Sequence, residues 1–282
     1  MLSIIESHLG VLLGFAAGFF LLSTLLLLHA ISLRISEQQR NQLLKQLEVL
    51  RKLLSGLQRH RGLSNGLLSG DTSLRQDLEA TRQQLDALIR QAQALATSHE
   101  EAWNNLFDHW SRLRQGSGLQ KENNLIQHHL IIRNSIFLLQ DLATSQPLTS
   151  ARHKSVFISC IWQEVIQAAE WAGQARALGT GIAAARKSNA EQRIRLRFLY
   201  QKIHELSGEA FHTLQQSRLD GRFKLTACQQ AVEQLLTCID QELLNKETPD
   251  ITARIYFQQA TQAIDQLFSL VDASLETLKS KG

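Results

Sequence analysis

Two arginines of this 282-residue chain, Arg61 and Arg176, stand at positions where apolar residues are expected. Steps of three and four residues along one helix face lead from Leu54 and Leu57 to Arg61. Equivalent steps lead from Ala172 to Arg176. A guanidinium group on a buried face is costly unless it is paired. Each arginine is therefore expected either to meet an acidic residue or to bind an anion.

The two arginines also share a local pattern. Residues 61–66 read RGLSNG and residues 176–181 read RALGTG, so both fit R-[GA]-L-[SG]-[NT]-G. Each motif falls near the C-terminal end of a long predicted helix, and about three more helices follow it, as duplication of a four-helix unit would require. A chance match of six residues is the alternative to duplication.

Small residues and hydroxyl groups surround both arginines. The small residues are Gly62, Gly66, Ala172, Gly173, Ala175, Ala177, Gly179 and Gly181. We interpret them as making room for a ligand beside the long side chains, because a helix glycine costs about 1 kcal/mol relative to alanine and needs a reason. The hydroxyls of Ser64 and Thr180 are donors suited to a small oxyanion.

A structural salt bridge is the competing interpretation. Arg176 would then pair with Glu170 on its own helix or with Glu205 on a neighbouring one. The two interpretations make different predictions about the fold. A structural role predicts arginines paired with acids, whereas an anion site predicts that both guanidinium groups face one cavity that lacks a carboxylate.

The elements that must position these residues are long helices. Only 2 prolines and 15 glycines occur, and the chain is 44% hydrophobic. Capping and turn signals divide the chain into about eight long helices, and the short loops between them favour antiparallel neighbours. The predicted helices cover 9–68, 72–97, 99–115, 119–145, 150–187, 190–217, 222–246 and 250–279.

The N-terminal segment is predicted to cross a membrane. The stretch LGVLLGFAAGFFLLSTLLLL at 9–28 carries no charge and is about as long as a membrane-spanning helix. We expect a transmembrane helix over about 9–33, an anchor over 1–35 and a soluble domain over 36–282. A cleaved signal peptide is the alternative, but no basic region precedes the stretch and no clear cleavage site follows it.

Charges on either side of the span predict its orientation. Only Glu6 and His8 precede it besides the amino terminus, whereas Arg34, Arg40 and Lys45 follow it closely. The positive-inside rule therefore places the soluble domain in the cytoplasm.

Several classes of function are not indicated. The net charge of +4 is spread along the helices, which argues against a nucleic-acid partner. Cys160, Cys228 and Cys238 have no metal-ligand or disulfide spacing, and the adjacent His128 and His129 point about 100° apart on a helix. Without a catalytic or cofactor motif, we expect no metal, no cofactor and no enzymatic activity.

Three segments resemble the nitrate- and nitrite-sensing (NIT) domain family of bacterial receptors, kinases and antiterminators. They are LQRHRGLSNGLLSGD at 57–71, EWAGQARALGTGIAAARKSN at 170–189 and YFQQATQAIDQLFSLV at 256–271. The resemblance extends over residues 40–278. It implies an all-α fold of two associated four-helix bundles, with halves of about 36–145 and 150–280.

The resemblance also implies that arginines of the long helices clasp a planar nitrate or nitrite. By matching position these are Arg61 and Arg176. The hydroxyl chemistry of Ser64, independently of the resemblance, makes it a further candidate ligand. The family often has a glutamate before the first R-G pair, and here His60 stands there, which would add a donor or make affinity depend on pH. An effector domain usually follows the sensor and is not seen here, so the signal is expected to leave through the anchor helix or a partner protein.

We therefore expect a single-pass sensor of the bacterial inner membrane that binds nitrate or nitrite and signals through a protein partner. A homodimer is compatible with this arrangement. Two alternatives stay open: a membrane-tethered helical scaffold without a small-molecule ligand, and a receptor module for a different small anion.

Overall fold

The computed structural model describes residues 2–68, 72–115, 121–144, 159–216 and 225–279, and all regular structure in these ranges is helical. Eight α-helices follow one another along the chain. They are α1 (Leu2–Leu68), α2 (Arg75–Leu95), α3 (Glu100–Gln115), α4 (Lys121–Ala143), α5 (Ile166–Ala185), α6 (Ala190–Gln216), α7 (Leu225–Cys238) and α8 (Ala253–Lys279). A short 3-10 helix (Thr72–Leu74) precedes α2, and π-helical turns stand before α5 (Ile161–Val165) and after α7 (Ile239–Leu244).

The first helix joins the apolar N-terminal segment to the soluble part without a break over 67 residues. Its described side chains are exposed from Phe19 to Gln39 and then alternate between buried and exposed from Leu43 onward, where the leucine stripe begins. By length and composition this helix could cross a membrane. The predicted continuity of the apolar segment with the helix that follows it is confirmed.

The start of α6 agrees with the predicted one. At the start of α6, the Asn189 N–H donates to Gln192 Oε1 at 3.0 Å and the Gln192 N–H donates to Asn189 Oδ1 at 2.7 Å. This reciprocal cap is the start predicted from the sequence. The last helix begins at Ala253 rather than 250, because Thr252 caps it by accepting a hydrogen bond from the Ile255 N–H at 3.3 Å.

Four predicted breaks fall at least partly outside the described residues. They are those at 70–72, 116–118, 146–147 and 220–221. The predicted helix over 150–187 is described only from residue 159, and it ends where Arg186 adopts a left-handed φ of 49°.

Helix contacts bring α1 and α5 together at the centre. Helices α2 and α4 pack on α1, and α3 packs on α4; α6 and α8 pack on α5, and α7 packs on α8. Helix α1 also contacts α5 and α8. The division into two four-helix bundles and into halves of 36–145 and 150–280 stays a prediction.

Helices α1 and α8 run antiparallel. Arg40 donates to the Leu278 carbonyl, and further along α1 Arg51 pairs with Asp272, so numbers rise on α1 as they fall on α8. The face of α8 nearest the end of α1 consequently carries Phe257 and Thr261, both of which contact Arg176.

Candidate functional site

Arg61 lies at the centre of the interface between α1 and α5 and is fully buried. Its Nη1 donates to Glu170 Oε1 at 2.6 Å and its Nη2 donates to Glu170 Oε2 at 3.2 Å. The arginine therefore has a carboxylate partner on the facing helix. The expectation that an anion site would hold both arginines away from any carboxylate is wrong for Arg61.

Glu170 is held by two amides besides Arg61. Gln58 Nε2 and Gln174 Nε2 each donate to the carboxylate at 2.9 Å. Four hydrogen bonds thus satisfy the acceptors of a carboxylate that is only 5% exposed.

Arg176 is also buried, but its partners are neutral. Its Nη1 donates to Thr261 Oγ1 at 2.9 Å, its Nη2 donates to the Gln58 carbonyl at 3.4 Å, and its guanidinium carbon lies 4.9 Å from the centroid of the Phe257 ring. Within the described ranges no carboxylate forms an ion pair with it.

Neither acid considered as a partner for Arg176 pairs with it. Glu170 pairs with Arg61, and Glu205 pairs with Lys202 at 2.7 Å. Burial and the neighbouring Arg61 cation lower the pKa of Arg176 to about 10. The group therefore stays protonated at neutral pH, and its charge lacks a contacting counter-ion in the part of the chain that the structure describes.

The formal charges of Arg61, Arg176 and Glu170 do not cancel, and Asp265 and Arg59 also interact electrostatically with Arg176. Arg61 and Arg176 contribute two positive charges and Glu170 contributes one negative charge. The Nε atoms of both arginines are buried and have no hydrogen-bond partner. This interface therefore holds unused guanidinium donors and a cation, Arg176, that no carboxylate contacts in the described ranges.

Ser64 lies one turn beyond Arg61 and its hydroxyl is already engaged. The Ser64 Oγ donates to the Arg61 carbonyl at 3.2 Å and accepts from Asn124 Nδ2 at 3.1 Å. The other hydroxyl predicted to serve an anion, Thr180 Oγ1, is buried and has no hydrogen-bond partner. Ser64 therefore ties α1 to α4, and Thr180 retains a free donor.

His60 takes part in a chain of hydrogen bonds between helices. Arg82 Nε donates to His60 Nε2 at 3.3 Å, His60 Nδ1 lies 2.7 Å from His128 Nε2, and His128 Nδ1 lies 2.7 Å from the Asn124 carbonyl. Because the carbonyl only accepts and Arg82 only donates, the protons must sit on Nδ1 of both histidines. Both ring nitrogens of His60 are thus bonded to Arg82 and His128, and neither is bonded to Arg61 or Arg176.

Burial keeps these histidines neutral. Burial and the nearby Arg82 cation lower the pKa of His60 to about 3. Burial also lowers the pKa of His128, with the neighbouring His60 acting in the same direction. Among the residues with described side chains, no group of three or more His, Cys, Asp or Glu is placed to hold a metal ion.

Two glycines of α5 make room for side chains of neighbouring helices. A Cβ at Gly173 would stand 2.8 Å from Arg61 Nη2, and a Cβ at Gly179 would stand 2.3 Å from Tyr256 Cζ. The Tyr256 hydroxyl donates to the Ala175 carbonyl at 2.9 Å. The space that the sequence suggested for a ligand is filled at these two positions by the protein itself.

Sequence reasoning did not single out Gln58, Phe257 or Thr261 as part of this cluster. Gln58 carried a signal, because it is a polar residue one helical step after Leu54 on the leucine stripe and 1% exposed in the structure. Phe257 and Thr261 are four residues apart on one face of α8, within the third of the matching segments.

Comparison with known proteins identifies the family of this chain. The family model for nitrate and nitrite sensing (NIT) matches residues 52–279, which is most of the chain. The chain belongs to the NIT family. The match includes α2–α8, both arginines and the α8 face that contacts Arg176.

A solved structure has a similar fold. The structure titled "Structure of the NasR transcription antiterminator" superposes with a TM-score of 0.66 and 22% sequence identity, and the alignment covers 89% of this chain and 73% of that one. At this identity the likeness shows a shared fold. No curated protein sequence matches the chain.

Proposed function

We propose that this protein is a membrane-anchored sensor that binds nitrate or nitrite between α1 and α5, with Arg61 and Arg176 as the principal ligands. One observation carries the proposal: Arg176 is 4% exposed, its guanidinium is protonated, and no carboxylate forms an ion pair with it in the described ranges. A small anion is the simplest counter-charge for it. Membership of the nitrate- and nitrite-sensing family supports the choice of anion.

The planar shape of the guanidinium group suits this class of ligand. Two parallel N–H groups on a planar fork match two oxygens on a planar centre, and nitrate and nitrite both present such a pair. The unused Nε donors of Arg61 and Arg176 and the Thr180 hydroxyl would supply further hydrogen bonds.

His60 and Ser64 have a supporting role in this proposal. Their polar atoms bond to α2 and α4 through Arg82, His128 and Asn124. These bonds fix the turn of α1 that presents Arg61, so both residues would influence anion affinity by position rather than by contact.

The apolar N-terminal part of α1 would hold the protein in the bacterial inner membrane as a single span, with the soluble domain in the cytoplasm. Because α1 reaches the arginine site without a break, a change at Arg61 is transmitted along the same helix toward the membrane. We propose that the output is read by a protein partner that contacts the domain, and that the role is sensing rather than catalysis.

The ion pair between Arg61 and Glu170 favours a second candidate function. A buried, fully hydrogen-bonded pair is what a structural tether without a ligand would contain. In that case the buried Arg176 guanidinium would be stabilised only by its contacts with Thr261, Phe257 and the Gln58 carbonyl. A different small anion in the same place is the third possibility.

Thermal melting of the full chain in a mild detergent separates these functions. Nitrate, nitrite, chloride, sulfate and small carboxylates are compared at equal ionic strength. A ligand that binds only the folded state adds about 2.7 kcal/mol at a hundredfold excess over Kd. We expect stabilisation by nitrate or nitrite. A change in melting temperature with another anion alone would reassign the ligand. If no anion changes the melting temperature, the structural tether is the function that remains.

A further inference from the structure

Glu170 offers Arg61 the same set of atoms that nitrate or nitrite would offer. Its carboxylate is a planar centre with two oxygens, and each oxygen accepts from a different terminal nitrogen of Arg61, at 2.6 and 3.2 Å. A planar oxyanion bound side-on to the same guanidinium would need the same two donors. The carboxylate and an incoming anion therefore compete for one place.

We propose that Glu170 is the resident occupant of the anion subsite on Arg61, and that nitrate or nitrite displaces it toward Arg195 on α6. This inference rests on the proposed function, since it names the regulation of that same site. In the ligand-free protein the pair joins α1 to α5; in the ligand-bound protein Glu170 joins α5 to α6.

A path for the displaced carboxylate is already present. Gln174, one turn after Glu170 on α5, donates from Nε2 to Glu170 Oε1 at 2.9 Å. Its own Oε1 accepts from Arg195 Nη2 at 2.6 Å. One amide thus connects the buried carboxylate to a guanidinium on the neighbouring helix.

Arg195 is suited to receive that carboxylate. It is exposed, and its guanidinium carbon lies 5.9 Å from the Trp171 ring centroid and 5.2 Å from the Phe198 ring centroid, so two aromatic rings hold it beside Gln174. In the part of the chain with described side chains, no carboxylate forms an ion pair with Arg195. The displaced carboxylate would keep its bond to Gln174 and gain a cation.

Charge balance favours the exchange only when an anion arrives. Before binding, Arg61 and Glu170 neutralise each other and Arg176 is left without a contacting counter-charge. After binding, the anion serves both Arg61 and Arg176, while Arg195 neutralises Glu170. Without an anion, the same movement of Glu170 would leave two buried cations unpaired, which is costly. Glu170 consequently leaves Arg61 only when a suitable oxyanion takes its place.

Nitrate titration calorimetry on the full chain tests the exchange with three variants. Glu170→Gln removes the charge of the competitor while keeping its shape, so nitrate is expected to bind at least tenfold tighter than to the wild type. Arg195→Ala removes the acceptor and is expected to weaken binding at least threefold. Arg197→Ala is the matched control on the same helix, exposed and without a described partner, and is expected to stay within twofold of the wild type.

The outcomes distinguish this inference from the proposed function. If the wild type binds neither nitrate nor nitrite, the proposed function fails and the exchange with it. If the wild type binds but Glu170→Gln binds with equal or lower affinity, the competition is overturned while the sensor function stands. Should Glu170→Gln not fold, Arg195→Ala decides, because an affinity equal to that of Arg197→Ala would overturn the exchange.

Discussion

Arg61 of α1 and Glu170 of α5 form a two-pronged ion pair away from solvent, whereas Arg176, at the matching position of the repeated motif, has only neutral partners. The two arginines are thus equivalent in sequence and different in electrostatic environment. One contacts a carboxylate, and the other contacts only neutral groups in the described ranges.

Replacing each arginine by methionine is expected to change the stability of the ligand-free protein differently. Arg61→Met strands the buried Glu170 carboxylate and should lower the free energy of unfolding by about 3–5 kcal/mol. Arg176→Met removes a buried cation that lacks a carboxylate and should leave the protein as stable or more stable. Urea titration of the full chain in detergent measures both; equal losses for the two variants would disagree with the described pairing.

Two glycines of α5 should respond oppositely to alanine. A methyl group at Gly179 would press on the buried Tyr256 ring, 2.3 Å from Cζ, so Gly179→Ala should cost about 1–3 kcal/mol of unfolding free energy. At Gly181 a Cβ meets nothing within 4 Å, and Gly181→Ala should gain up to about 1 kcal/mol from helix propensity. Melting temperatures that move in the same direction would argue against this packing of α8 on α5.

Acid is expected to destabilise the fold through its buried histidines. Burial lowers the pKa of His60 from 6.5 to about 3 and that of His129 to about 4, and lowers that of His128 as well. Below about pH 6.5 the unfolded chain binds protons that the folded chain does not, so stability falls as the pH drops from there toward the folded values.

Above pH 6.5 these histidines should contribute no pH dependence. Within the acidic window each contributes a slope of about 1.4 kcal/mol per pH unit. Urea titrations at several pH values measure this, and His60→Gln should show a shallower slope than the wild type. A stability that is constant from about pH 7 to pH 5 would mean that these rings are not buried and neutral.

The sequence was sufficient to predict the helices and the two buried arginines. The reciprocal cap of Asn189 and Gln192 is a local signal. The continuity of α1 likewise follows from a long stretch that contains no proline. Local patterns of this kind do not depend on which helices meet.

The partner of Glu170 could not be predicted from local patterns, because it depends on which helices meet. The sequence offered Glu170 as one possible partner of Arg176 on the same helix, but the carboxylate points across to α1, where Arg61 and Gln58 both reach it. Only the rotation of α5 against α1 decides between these partners. Likewise, the use of Gly173 to accommodate Arg61 depends on how closely those two helices approach.

The orientation of the anchor makes a prediction about location. Arg34, Arg40 and Lys45 follow the apolar segment, so the soluble domain should lie in the cytoplasm. A fluorescent-protein fusion at the C-terminal end should fluoresce and an alkaline phosphatase fusion at the same place should be inactive. The opposite pair of results would place the domain, and the sampling of the anion, in the periplasm.

Nitrate affinity of the wild type and of Arg176 variants tests the central claim most directly. A charge-assisted hydrogen bond contributes roughly 1.5–3 kcal/mol, so Arg176→Met should weaken binding at least tenfold in calorimetric titration. Arg176→Lys should not restore it, because an ammonium group cannot reproduce the planar fork. Both variants are expected to lose affinity while keeping a stable ligand-free fold; unchanged nitrate affinity in Arg176→Met would contradict the role of Arg176 as an anion ligand.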